Sequence, residues 1–230
     1  MRLLALETST EYCSVALWQD GALTSRCELV GQKHSELLMP MLDSVLREAG
    51  VKLGELDGIA FGSGPGSFTG VRIACGVTQG LALGAGLPVV GICTLLALAE
   101  AAGQDKVIAA LDARMGEIYH AAYAKRDDAW LTVVEPNLCK AEDAPMVTGE
   151  GWHGSGSGFA AHENALAVRY AGQLASSDGT AIPQAAAIAR LAAPLLVAGA
   201  GMDAALAAPF YLRDKVALTT AERLARGATA

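Results

Sequence analysis

The chain opens with an unbroken apolar run, residues 3–6, and resumes it over residues 14–18 after a turn carrying Glu7, Thr8, Ser9, Thr10 and Glu11. Two strand-length apolar runs around a short polar turn predict a β-hairpin. The pattern returns at mid-chain, where residues 107–111 are apolar, 112–116 read as a turn and 117–123 as a strand. Aligning Glu7 with Asp112 gives an offset of 105 residues (112 − 7), nearly half of the 230, which predicts two halves built alike.

Between the hairpins, residues 35–49 carry Leu37, Leu38, Met41, Leu42, Val45, Leu46 and Ala49 at three- and four-residue steps, with Gly50 at the usual stop. That spacing predicts an amphipathic helix, its first turns loosened by Pro40. Further on, a strand is expected at 59–61, a helix at 69–83, a strand at 89–92 and a helix at 94–102 capped by Thr94. Strands alternating with helices on this scale mean an α/β fold. The second half predicts strands at 130–134 and 145–148, a Gly/Ser-rich stretch at 149–158, and an Ala-rich helix at 183–197 with Pro183 near its first turn.

Residues 73–99 contain no charged side chain, 27 positions long enough to raise the question of a membrane span. Gly76, Gly80, Gly84, Gly86 and Pro88 interrupt them, so helix, turn, strand and second helix within a globular fold are expected instead. Hydrophobic residues make up 52% of the chain, ample for a core. Asp and Glu number 24 against 17 Lys and Arg, a net charge of −7, which disfavours autonomous binding to a phosphate backbone and leaves the holding of any nucleic acid to a more basic partner. Five cysteines without a CxxC pair read as reduced thiols of a cytoplasmic protein, and the N-terminus lacks a signal-peptide core.

The stretch GSGPGSFTGVR, residues 62–72, fails both phosphate-loop patterns: it has no Lys for a Walker loop, and position 67 is Ser where a dinucleotide loop needs Gly. A glycine loop at a helix N-terminus remains, either facing an anion or making a tight turn. Gly76, Gly80 and Gly84 fall four apart on one helix face and permit close helix approach. Glu7 and Asp112 end apolar strands, where an α/β sheet presents its site; they either serve a ligand or hold their own turns. A helical metal pair would need a second His four residues beyond His34, and that position is Leu38, so His34 reads as a lone solvated or capping residue and no metal site is expected. Arg72 reads as an anion or carboxylate ligand or as a plain surface residue.

The segments LALETSTEYCSVAL, KHSELLMPMLDSVL, GIAFGSGPGSFTGVRIACGVTQGLALGAGLPVVGI, ALDARMGEIYHAAY and PFYLRDKVALTTAER occur in order from Leu4 to about Arg223. Together they resemble the bacterial TsaB family, also called YeaZ. The resemblance implies an actin-like fold of the sugar kinase/Hsp70/actin superfamily, with two ribonuclease-H-like subdomains assigned to residues 1–102 and 103–213 and a tail at 214–230. It implies a non-catalytic role in making threonylcarbamoyladenosine, beside the anticodon of tRNAs reading codons that begin with adenine. The implied partners are the transferase TsaD and the ATPase TsaE, with a homodimer when TsaD is absent.

On that resemblance the helices starting near Ser35 and after the glycine loop supply the partner surface, with Leu38, Leu42, Val45, Arg72, Gly76, Gly80 and Gly84 as its residues. Glu7, Ser9, Thr10 and Asp112 occupy the superfamily's nucleotide or anion positions. Leu38 replaces the second histidine of the TsaD-type pair, so no catalytic metal, no catalytic residue and no transferase activity by this chain alone are expected. No cofactor is expected to bind tightly; VTGEGWHGSGSGF lies at the superfamily's adenosine motif with degenerate spacing, which leaves ATP or ADP to the interface of the complex. The enzymatic alternative is an autonomous ATPase or kinase using Glu7 and Asp112 around Mg²⁺.

Overall fold

The computed structural model of the chain describes residues 1–213; the tail read at residues 214–230 lies outside the described residues. The first hairpin forms as read. β1 (Arg2–Glu7) pairs antiparallel with β2 (Tyr12–Gln19), Leu4 opposite Leu17 and Glu7 opposite Ser14. An edge strand, β3 (Ala22–Leu29), extends it; most of its residues are exposed, so no apolar alternation announces it. On the other side of β1, β4 (Gly58–Gly64) and β5 (Val89–Cys93) add in parallel, giving the order β3-β2-β1-β4-β5.

Parallel neighbours need crossovers, and helices supply both. α1 (His34–Ala49) leads into β4 and ends at Gly50, whose φ of +65° closes the helix in the left-handed region. Pro40 sits on its exposed side and the helix runs through it. α2 (Phe68–Ala85) joins β4 to β5; the Ser67 hydroxyl accepts from the Gly70 N–H at 3.3 Å to cap its start, and Gly86 ends it. Residues 73–99 thus divide into the rest of α2, then β5, then most of α3 (Thr94–Ala101), whose cap is Cys93 rather than Thr94. Among the described residues no helix is long and apolar enough to cross a membrane.

The second hairpin, β6 (Lys106–Arg114) with β7 (Glu117–Arg126), starts a second sheet. β8 (Ala129–Cys139) pairs with β7 and is longer than the expected 130–134. The Gly/Ser-rich stretch holds β9 (Trp152–Ser155), parallel to β6, and β10 (Leu174–Asp178) follows the short α4 (Ala165–Arg169). Residues 145–148, expected as a strand, are irregular. The order β8-β7-β6-β9-β10 repeats that of the first sheet, strand for strand. The 105-residue offset therefore marks one topology used twice.

α5 (Ala185–Val197) does not stay with the second half. Its alanines and Ile188 pack on Leu3, Ala5, Ala16, Ala60 and Val90 of the first sheet, and the buried Ser14 hydroxyl accepts from the Ala185 N–H at 2.8 Å. Met202 then bridges to Val89, and the Phe210 N–H donates to the Ser63 carbonyl. In the other direction, α3 lays Leu95, Leu98 and Ala99 on Val107, Ala109, Leu111 and Tyr123 of the second sheet. Each half lends its last helix to the other, because each sheet has an apolar face left open by its own helices.

Leu38, Leu42 and Val45, expected on a partner surface, are buried with Leu4, Leu6, Val15 and Leu17 against the first sheet. Fully burying such a side chain is worth about 2 kcal/mol, which outweighs holding it exposed for a partner. The exposed side of α1 carries Ser35, Glu36, Met39, Pro40, Asp43 and Arg47 instead.

Candidate functional site

Because β4 runs parallel to β1, the glycine loop at its end arrives beside the hairpin turn at residues 7–10. The two segments touch backbone to backbone: the Ser67 N–H donates to the Ser9 carbonyl at 2.7 Å and the Thr8 hydroxyl donates to the Gly70 carbonyl at 2.7 Å. A methyl group at Gly66 would come within 2.5 Å of Ser9 Cβ, one at Gly70 would overlap the Thr8 carbonyl oxygen, and one at Gly62 would overlap Glu7 Oε2. The loop's glycines are there for close approach.

That approach seals Glu7. Its side chain is 1% exposed; Oε1 accepts from the Ser9 N–H and Oε2 has no hydrogen-bond partner among the described residues. Burial, opposed by the bonds from Ser9, pushes its carboxyl above the usual carboxylate range. Glu7 does not line the cleft between the two halves, so its expected place beside Ser9, Thr10 and Asp112 at a ligand site is corrected.

The cleft itself, of about 1020 Å³, has Ser9, Thr10 and the residue 66–70 turn on one wall and Asp112, Arg114 and Ser157 on the other. Phe68, Thr69 and Gly70 at the start of α2 line it, with the Gly70 N–H already taken by the Ser67 hydroxyl. Asp112 Oδ1 accepts from the Arg114 N–H at 2.9 Å, and the Arg114 guanidinium lies 3.1 Å from Oδ2. The Asp112 N–H donates to the Ser157 hydroxyl at 3.0 Å. One wall of the cleft thus carries a helix start, and the other a carboxylate already matched by a guanidinium.

Ser157 belongs to the second glycine loop, which stands after β9 as the first stands after β4. There too the glycines seat a turn on a strand: Gly158 would bring a methyl to 2.7 Å from Ala110 Cβ, and Gly154 to 2.5 Å from the Phe159 ring. Of the glycines in the degenerate adenosine-like stretch, Gly154, Gly156 and Gly158 are thus used in packing, while Gly149 and Gly151 meet no neighbour among the described residues.

His34 begins α1 at 6% exposure, and its Nε2 lies 3.1 Å from the Tyr12 carbonyl, to which the Nε2–H tautomer donates. It ties α1 to the first hairpin and is not the solvated residue expected. Leu38, one turn on, is fully buried. Among the described residues no three His, Cys, Asp or Glu side chains group so as to hold a metal ion.

The outer face of α2 presents Gly76, Gly80 and Gly84 with nothing among the described residues within 4 Å of where their side chains would be, beside Leu83 at 60% exposure. Arg72, one turn before Gly76, is spent within the chain: its Nε donates to the Tyr211 hydroxyl at 2.7 Å and its guanidinium lies 3.4 Å from the Phe68 ring centroid. Sequence reasoning missed Ser157, Tyr211 and Arg213 as cleft residues; their signal was their place in the Gly/Ser-rich stretch and in the segment PFYLRDKVALTTAER.

Residues 27–221 match the family model described as TsaD, tRNA N6-adenosine threonylcarbamoyltransferase. The chain is 38% identical to the tRNA threonylcarbamoyladenosine biosynthesis protein TsaB of Escherichia coli K12, over 94% of this chain and 96% of that one. It is also 38% identical to the TsaB of Haemophilus influenzae, covering 94% and 95%. The solved structure of YeaZ from Pseudomonas aeruginosa superposes with a TM-score of 0.83 at 37% identity, over 92% of this chain and 99% of that one.

Proposed function

This chain belongs to the TsaB (YeaZ) family of tRNA threonylcarbamoyladenosine biosynthesis proteins, and from that premise we propose that it is the non-catalytic subunit that binds and supports the transferase TsaD, with TsaE, during threonylcarbamoylation of the adenosine beside the anticodon. The observation that carries the reading is the outer face of α2. Among the described residues Gly76, Gly80 and Gly84 have open space above them and no packing role, unlike Gly62, Gly66 and Gly70 of the preceding loop and helix start. Three glycines on one helix face carry a conformational cost of about 0.5–1 kcal/mol each relative to alanine. A partner backbone that approaches closely accounts for keeping them, and the exposed Leu83 adds apolar contact.

The chemistry falls to the partner on this reading. His34 is bonded to a backbone carbonyl and Leu38 fills the core, so α1 offers no imidazole pair. Glu7 is sealed from the cleft and Asp112 is matched by Arg114, so these two do not form a free acidic pair for Mg²⁺ and a nucleotide. ATP or ADP then belongs to the junction of the assembly, tRNA is contacted through the partners, and the same α2 face pairs two copies of this chain when TsaD is absent.

Reconstituted threonylcarbamoyl transfer to tRNA tests the reading, with this chain included, omitted, or replaced by a Gly76→Arg/Gly80→Arg variant of unchanged thermal melting. Omission and the variant should both abolish modification. Undiminished modification without the chain would falsify the assignment.

A further inference from the structure

Residues 209–213 cross the mouth of the cleft and are bonded to both of its walls. On the first half, the Phe210 N–H donates to the Ser63 carbonyl at 2.7 Å, and Gly64 is bare because a methyl group there would stand 2.6 Å from the Phe210 carbonyl oxygen. Tyr211 accepts from Arg72 Nε and packs at 5.9 Å from the Phe68 ring. On the second half, the guanidinium of Arg213 donates to the carbonyls of Ala113 at 3.1 Å and Arg114 at 3.4 Å and pairs with Glu117 at 2.9 Å. All of these second-half partners lie in or beside the β6–β7 turn that carries Asp112. Arg213 is only 13% exposed, so its charge is largely withdrawn from water and depends on these acceptors.

We propose that residues 209–213 are a clasp that sets the aperture of the cleft, with Phe210 and Tyr211 its fixed end and Arg213 its releasable end. The two ends differ in kind. The first-half end combines a backbone bond, ring packing and a guanidinium stack. The second-half end is one side chain gripping a turn in which Arg114 and Met115 both stand at positive φ, +62° and +59°. A turn of that shape is locally strained and is held by what binds it. Losing Arg213 frees the Asp112 wall to move relative to the Ser9 wall, a hinge motion of the kind that α/β clefts use.

Pulsed electron spin resonance on the full chain measures the aperture directly. One spin label goes on the exposed Cys27 of β3 and a second on a Thr132→Cys site on β8, with Cys93 and Cys139 replaced by Ala. The parent protein should give one narrow distance distribution. Arg213→Ala should broaden it and Arg213→Lys should restore most of the narrowness, since an ammonium still reaches Glu117. Tyr211→Phe, which removes only the Arg72 bond, should broaden it less. If Arg213→Ala folds poorly, Glu117→Gln weakens the same end and should broaden the distribution too. An unchanged narrow distribution in Arg213→Ala or Glu117→Gln, or a broad one in the parent, overturns the clasp.

Discussion

The two halves share a strand order, a hairpin that begins each sheet, and a glycine loop after the fourth strand, yet those loops lead to opposite surroundings. In the first half the loop presses on residues 7–9 and runs directly into the 18-residue helix α2, so Glu7 is sealed. In the second, the loop gives way to 3-10 turns, three successive residues at positive φ (His162, Glu163 and Asn164) and a five-residue helix, so Asp112 stays open to the cleft. A repeated topology therefore does not repeat a site. The segment into which each glycine loop runs decides whether a carboxylate at the strand end becomes core or surface.

Methyl groups placed at the two seats give the largest effects. Gly70→Ala drives a Cβ into the Thr8 carbonyl, and Gly156→Ala adds the strain of φ +104° to contact with the Ala110 carbonyl and Leu98. Both obstacles include backbone that no rotamer change relieves, so each variant should lose about 3 kcal/mol in urea unfolding. A loss at only one of them would mean that the halves are seated by different means.

Next in size is the acid response of the second half. His120 is fully buried; its Nδ1 faces the Asn137 amide at 3.4 Å and its Nε2 lies 2.9 Å from the Tyr170 hydroxyl, which itself donates to the Pro145 carbonyl. One neutral tautomer satisfies all three: Asn137 donates to Nδ1 and Nε2–H donates to Tyr170. Burial lowers the pKa of His120 from 6.5 to about 4. The unfolded chain therefore binds the proton first as pH falls, and stability present above pH 6.5 is lost progressively down to pH 4. The total is about 3 kcal/mol. Urea midpoints between pH 7 and 4 should show this slope, and His120→Gln should flatten it while lowering stability at pH 7.

The first half responds in the other direction. Glu7 has its folded pKa raised, so the fold holds that proton more tightly than the unfolded chain does. Its contribution is complete below pH 4.5 and declines as pH rises through the folded value. Glu7→Gln keeps the neutral shape; it should be more stable than the parent at pH 8, with the gap closing toward pH 4.5. Asp112→Asn, on the open turn, should change stability by less than about 1 kcal/mol. Equal effects for the two substitutions would erase the contrast between a sealed and an open strand end.

Much of this was legible in the sequence and some was not, for identifiable reasons. Both hairpins, α1, α2, α5 and the internal repeat follow from local periodicity, which a chain segment carries by itself. β3 escaped because an exposed edge strand needs no apolar alternation, and residues 145–148 misled because just one of their apolar side chains is buried: Val147 joins the core around Trp152 and Tyr170 without pairing in a sheet, while Pro145 and Met146 are exposed. The exchange of α3 and α5 between halves is invisible locally, since an Ala-rich face fits either sheet. For the same reason Leu37/Met41/Val45 and Leu38/Leu42/Leu46 could not be divided into core and surface from spacing alone, whereas the structure buries nearly all of them and turns Met39 and Pro40 outward.

The smallest expected effect discriminates best among the glycines. Gly76 lies in the same helix as Gly70, but among the described residues nothing stands within 4 Å of its missing side chain. Gly76→Ala should therefore raise stability by about 0.5–1 kcal/mol, from helix propensity and the reduced freedom of the unfolded chain. On the proposed reading the same methyl group stands where the partner's backbone comes close, so affinity for TsaD should fall even as the free chain gains stability. Calorimetric unfolding and titration of one preparation read both quantities. A gain in stability with unchanged affinity would mean that the open face of α2 is not where the partner sits, and the glycines at 76, 80 and 84 would need another cause.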